Sequence, residues 1–164
     1  MNQTILEQKK ELVDSIANAI DGSASTLLCE YRGLSVAEVT ELRRLLRAEG
    51  CQMVVYKNSM TQRAVEKLGY SDLLPALTGP NATIVSDDAI APSRVVTKFA
   101  KKHDKLIIKA GIVEKKVVDA AEIKQLSTLP NKEGMLSMLL SCLQSPISSF
   151  ARAVKAVADA QEAN

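Results

Sequence analysis

Between residues 26 and 113, short apolar runs of strand length alternate with stretches of helical periodicity, and no other feature restricts the fold so sharply. Runs at 26–31, 53–56, 82–85 and 105–113, bounded by turn residues, read as strands. Before the first of them, Leu6, Leu12, Val13, Ile16, Ala17 and Ile20 mark an amphipathic helix over 4–20, which Asp21-Gly22 ends. After Gly33, Ser35 stands ahead of a helix over 36–48. Glu38 lies three residues on, the spacing at which cap hydroxyl and carboxylate satisfy each other's backbone N–H groups. Asn58 or Ser59 caps a helix ending near Gly69, and Pro92 sits in the first turn of one reaching about Lys102. A short strand at Val117-Val118 turns back from its predecessor and leads into a helix over 120–126.

This order predicts the α/β class: an N-terminal α/β domain with a small mixed sheet packed by helices, followed by a helical C-terminal extension. Beyond Pro130 only helical patterns remain, over 133–143 and 147–163. Ser145-Pro146 separates them, because proline lacks an N–H and disfavours helix in the residue before it. The expected organisation is a domain over 1–130, a helical linker with a hinge over 131–146, and a C-terminal helix over 147–164.

A length of 164 residues suits one core plus an appendage better than two full domains. Lysine and arginine number 21 against 19 acidic residues, a formal charge of +2, so any nucleic-acid surface must come from local clustering. Cys29, Cys51 and Cys142 are odd in number and far apart, fitting neither a disulfide framework nor a zinc site, and a reducing cytosol is expected. Glu7, Lys9, Lys10 and Glu11 interrupt the stretch a signal peptide keeps apolar, and no later run approaches a membrane span. A chain neither secreted nor membrane-embedded is expected.

Catalytic constellations are not found in this pattern. His103 lies in Lys101-Lys102-His103-Asp104-Lys105, between a helix and a strand, and reads as a solvated loop histidine. The cysteines have no histidine nearby and read as small apolar groups, while Asp87-Asp88 reads as a turn. The glycines form neither a GxxxxGK[ST] nor a GxGxxG loop. Arg94, Lys98, Lys101, Lys102, Lys105 and Lys109 are close in sequence and read as a solvated helix side before an RNA face. Arg43, Arg44 and Arg47 alternate with Glu38, Glu41 and Glu49, as helix-surface ion pairs do.

Tyr31-Arg32-Gly33-Leu34-Ser35-Val36, Leu42-Arg43, Arg47 and Val55-Tyr56-Lys57-Asn58-Ser59-Met60 resemble the bacterial stalk-base protein of the large ribosomal subunit, the tenth large-subunit protein family. Thr78-Gly79-Pro80-Asn81-Ala82, Phe99-Ala100-Lys101, Lys109-Ala110-Gly111 and Leu126-Ser127-Thr128-Leu129-Pro130-Asn131-Lys132-Glu133 follow in matching order, so the likeness covers essentially the whole chain. It implies a structural ribosomal protein, bound to the ribosome in the cytoplasm, with no catalytic residue, cofactor or metal. Its N-terminal domain would sit on large-subunit rRNA at the stalk base, beside a neighbouring rRNA-binding stalk-base protein. Its C-terminal helix would carry acidic stalk-protein dimers, two on helix length, and through them recruit translational GTPases by raising their local concentration. Two other readings are a ribosome-assembly factor of related fold on the same rRNA site and a small cytosolic α/β enzyme. The C-terminal stripe opposes the first, and the lack of a convergent catalytic set opposes the second.

The matched residues suit those roles. Arg32 precedes a strand-ending glycine, so its guanidinium can leave the sheet edge for phosphates while Gly33 lets backbone approach. Lys57 and Asn58 open a helix whose free N–H groups and positive dipole end favour a phosphate. Lys9 and Lys10 on the first helix and the Gly79-Pro80 turn complete the RNA set implied by the family pattern. Backbone phosphate contacts would make binding salt-dependent, and with so few cations RNA shape counts as much as charge. Ile147, Phe150, Val154 and Val157 fall on one helix stripe with Ala151 and Ala158 alongside, an apolar face that a partner would bury.

Overall fold

The protein is described by a computed structural model over residues 3–162, in two units, one up to Leu129 and one from Pro130. The first begins with α1 (Gln3–Asp21) and β1 (Ser25–Glu30), then α2 (Val36–Ala48), β2 (Gln52–Val54) and α3 (Asn58–Leu68). A 3-10 turn at Ser71–Ala76 precedes β3 (Asn81–Ser86), α4 (Ala91–Ala100), β4 (Ile107–Val113), β5 (Lys116–Asp119) and α5 (Ala120–Leu126). The α/β class with helices packed on a small sheet and a helical C-terminal extension is as expected.

The five strands lie in the order β2-β3-β1-β4-β5, and every described ladder is antiparallel, where a mixed sheet was expected. Each crossover skips a strand: β1 and β2 run parallel to each other with β3 between them, and β3 and β4 run parallel with β1 between them. A crossover helix returns the chain to the same end of the sheet whether or not a strand intervenes. Alternation therefore fixes the order of elements but not which strand is whose neighbour.

Both faces of the sheet are covered, which is why its strands read as continuous apolar runs. On one face Leu27 and Cys29 of β1 meet Leu42 and Leu46 of α2, Val96 and Phe99 of α4, and Ile123 of α5. On the other, Leu28 meets Ile16 and Ile20 of α1, Val65 of α3, and Leu73 and Leu77 around the 3-10 turn. Burying each such side chain contributes about 1.5–3 kcal/mol, so β1, sandwiched twice, anchors the domain.

Ser35 and Glu38 form the expected reciprocal cap on α2. Asn58 does not cap α3: Lys57 takes the N-cap position without a side-chain bond, and the Asn58 amide is drawn elsewhere. The 3-10 turn had no sequence signature of its own. Its central Pro75 limits it to a short element.

The second unit is one helix, α6 (Lys132–Glu162), whose start is capped by Asn131 Oδ1 accepting from the Gly134 N–H at 3.0 Å. Pro146 lies inside it, so the break expected at Ser145-Pro146 is not there. One proline removes a single backbone hydrogen bond, and although serines adjoin it, the good helix formers farther out, Leu139, Leu140, Leu143 and Gln144 before it and Ala151, Arg152 and Ala153 after it, carry the helix through.

Candidate functional site

One end of the sheet gathers most of the expected RNA-binding residues. Glu30, the last residue of β1, pairs in register with Asn81 at the start of β3 and Ile107 at the start of β4, and Val54 closes β2 at the same end. Arg32 and Gly33 follow β1, Gly79 and Pro80 precede β3, and Lys57 and Asn58 follow β2, so the chain delivers all six to this end. Arg32, Gly33, Lys57 and Gly79 are exposed there, and Asn58 and Pro80 are half-buried.

Hydrogen bonds hold part of the group together. The Asn58 amide donates to the Gly79 carbonyl at 2.7 Å, tying the start of α3 to the Gly79-Pro80 turn. Gly33 and Gly79 have φ of 87° and 78°, the left-handed region that glycine enters without a Cβ penalty. Beside Gly33 lies the aliphatic stem of Lys105.

Lys109 organises this end from within. The register between β1 and β4 shifts at Leu28/Cys29, with Ala110 and Ile108 the successive partners, so Lys109 is the extra residue of a bulge. A bulge re-aims its side chain. Lys109 Nζ accordingly reaches Glu30 at 2.7 Å, Asn81 Oδ1 at 3.0 Å and the Thr78 carbonyl. Mostly buried and fully engaged, it braces the turn.

Lys9 and Lys10 stand away from the sheet end, exposed on α1, yet they share a groove with Lys57. Packing of α1 against α3 makes this groove, and it adds Arg63 and Lys67, with Lys67 bonded to Asp14 at 2.6 Å. Sequence reasoning missed these two. Ser59, Arg63 and Lys67 fall at i, i+4 and i+8 on α3, a usable stripe, but nothing local revealed that α1 would lie beside it.

The other basic residues divide differently from the sequence reading. Arg94 is held by Glu49 at 2.6 Å, while Lys98, Lys101, Lys102 and Lys105 are exposed. Glu38 is committed to Ser35 and to His103 Nδ1 at 3.0 Å, and bonds from the Ser35 backbone and hydroxyl hold its carboxyl below the usual range. The ion pairs expected within α2 are thus not formed: among the described residues Arg43, Arg44 and Arg47 have no ionic partner. His103, expected as a solvated loop residue, is half-buried and stacked on Phe99 at 4.3 Å.

No reactive centre emerges among the described residues. Burial pushes the Cys29 thiol up to about 12 and raises that of Cys51, so both are held as neutral thiols. No group of three or more His, Cys, Asp and Glu is placed to hold a metal, and no described helix is long and apolar enough to cross a membrane.

Along α6, Ile147, Phe150 and Val154 are 75%, 73% and 53% exposed, and Ala151 and Ala158 are exposed beside them. The side chain of Val157 lies outside the described residues. The apolar face begins earlier than the sequence boundary placed it: Leu136, Leu140 and Leu143 are also exposed, and they continue the same seam through Pro146.

A family model described as ribosomal protein L10 matches residues 4–101, and one described as ribosomal protein uL10 C-terminal region matches residues 129–164. The chain belongs to the ribosomal protein L10 family. Proteins of Staphylococcus aureus strains JH9, Newman and JH1, each named large ribosomal subunit protein uL10, are 49% identical over 161 residues, covering 98% of this chain and 97% of their own. Membership makes the chain a structural protein of the large ribosomal subunit, part of the translation apparatus in the cytoplasm and not an enzyme. The resemblance carried by the sequence motifs is therefore correct at the level of the family.

Proposed function

We propose that this protein forms the base of the large-subunit stalk, gripping rRNA with its α/β unit and carrying acidic stalk-protein dimers on α6. The observation that carries the reading is the seam of α6. Leu136, Leu140, Leu143, Ile147, Phe150 and Val154 recur at intervals of four and three, each more than half exposed. A 3.5-residue repeat keeps apolar side chains on one line and is the pattern by which helices seat against partner helices.

From Leu136 to Val154 the seam is about 27 Å long at the helical rise, room for two partner dimers side by side. The partner surface therefore takes in residues assigned above to a linker, and the division at 146 gives way to one continuous platform from 136 onward. Translational GTPases are recruited through the dimers, by local concentration.

The RNA side rests on Lys9, Lys10, Lys57, Arg63 and Lys67 in the α1–α3 groove and on Arg32, Gly33, Asn58, Gly79 and Pro80 at the sheet end. Lysine heads in a groove supply phosphate charge, and glycine turns let the nucleic-acid backbone approach. A neighbouring rRNA-binding protein shares that rRNA site.

Native mass measurement of the full chain co-expressed with the acidic stalk protein, beside a truncation ending at Asn131, tests the platform. The full chain is expected to carry four stalk copies and the truncation none. Equal stalk loading of the two forms would overturn the assignment.

A further inference from the structure

Arg43 and Arg47 of α2 are exposed cations that the helix itself cannot neutralise. The residues three and four away from Arg43 are Val39, Thr40, Leu46 and Arg47, and those around Arg47 are Arg43, Arg44, Gly50 and Cys51, so neither meets a carboxylate on the helix surface. Two of the three nearby acids are diverted, since Glu38 accepts from Ser35 and His103 and Glu49 holds Arg94. The third, Glu41, stands two residues from Arg43 and six from Arg47, spacings that do not bring helix side chains together. Being i and i+4, the two arginines instead repel each other, a repulsion that a shared anion removes.

Their position says which anion. Arg47 lines a recess with Gly50, Cys51, Gln52, Met53 and Val54, so it overlooks β2, the outermost strand of the sheet on that side. That strand spans only about 10 Å at the usual rise, and three residues past its end comes Lys57, which opens α3 on the opposite face and lines the basic groove there. Cations on the two faces are thus joined around a single short edge.

We propose that Arg43 and Arg47 hold rRNA phosphates on the α2 side of the β2 edge, so that the RNA interface wraps the edge and engages both faces of the sheet. The inference rests on the rRNA-binding reading of the α1–α3 groove. Arginine suits the role because its planar fork takes a phosphate bidentately. Continuity with the lysine groove favours RNA over an acidic protein as the occupant.

The test is binding of the full chain to a transcript of the large-subunit stalk-base rRNA, titrated over a range of KCl concentrations. For wild type, log affinity falls linearly with log salt, and each lost phosphate contact flattens the slope by about 0.7–0.9. The double variant R43Q/R47Q is expected to flatten it by about 1.4–1.8, whereas R43K/R47K, which keeps the charge, holds the wild-type slope. K57Q/R63Q, in the groove, serves as the independent control.

A slope unchanged in R43Q/R47Q but flattened in K57Q/R63Q overturns the inference and leaves the groove reading standing. No binding of the wild-type chain to the transcript removes the groove reading and this inference with it. An unchanged slope accompanied by lost association with the acidic stalk protein would give this face to a protein and equally overturn the proposal. Thermal melts accompany each titration. Should R43Q/R47Q melt early, the single variants R43Q and R47Q are each expected to flatten the slope by half as much.

Discussion

Gly111 sits where β4 crosses the middle of β1, and a Cβ built there would come within 2.5 Å of Leu27 Cδ2 and 2.8 Å of the Thr26 carbonyl oxygen. Neither neighbour can yield. Leu27 is fully buried, and the Thr26 backbone belongs to a strand paired on both sides. Gly111→Ala is therefore expected to destabilise by about 1–3 kcal/mol through overpacking, seen as a lower urea midpoint with unchanged slope. An unchanged midpoint would mean that β4 lies farther from β1 than described. The Lys109-Ala110-Gly111 motif was legible in the sequence, but its reasons were not. They depend on which strand lies beside β4 and on a bulge that turns Lys109 inward, and both are facts of register that local pattern does not carry.

The start of α2 shows how one element is tied to another through a single carboxylate. Glu38 Oε2 accepts from the Ser35 N–H at 2.6 Å, and Oε1 meets His103 at the end of α4. These bonds, that from the Ser35 backbone foremost, lower the Glu38 pKa from its ordinary value of 4.5. With the folded pKa depressed, the unfolded chain takes up the proton more readily, so the contribution is fully present above about pH 4.5 and lost as pH falls through the lower folded value. Wild type should melt at higher temperature than Glu38→Gln at neutral pH, and the gap should close on acidification. A gap that is constant with pH would contradict the assignment. The cap itself could be read directly from Ser35 and Glu38, because capping is local. Pro146 misled for the same reason: a local rule marks it as a breaker, while thirty-one residues of helix continue across it. The mixed sheet failed at the next level, since alternation of strand and helix is blind to an inserted neighbour.

At the scale of the molecule, the net charge of +2 concealed two surfaces of opposite character. The cations of the α1–α3 groove lie in the α/β unit and the apolar seam lies on α6, so each of these two surfaces belongs to one unit. The family motifs pointed to both, but the added members, Arg63 and Lys67 in the groove and Leu136, Leu140 and Leu143 on the seam, needed helix packing and solvent exposure to be seen. If the units divide the labour, damage to one should not cross to the other. Phe150→Asp puts a charge into the seam at its most aromatic point. A buried aromatic anchor is commonly worth about 2 kcal/mol or more, so stalk-protein binding should weaken by roughly thirtyfold or more while affinity for the rRNA transcript stays at the wild-type value. The converse variant, K57Q/R63Q, should lose rRNA affinity and keep its stalk copies. Parallel native-mass and RNA-binding measurements on the two variants decide the matter. Loss of both activities in either variant would mean that rRNA and stalk protein are held by one coupled surface, and the separation of grip from platform would have to be abandoned.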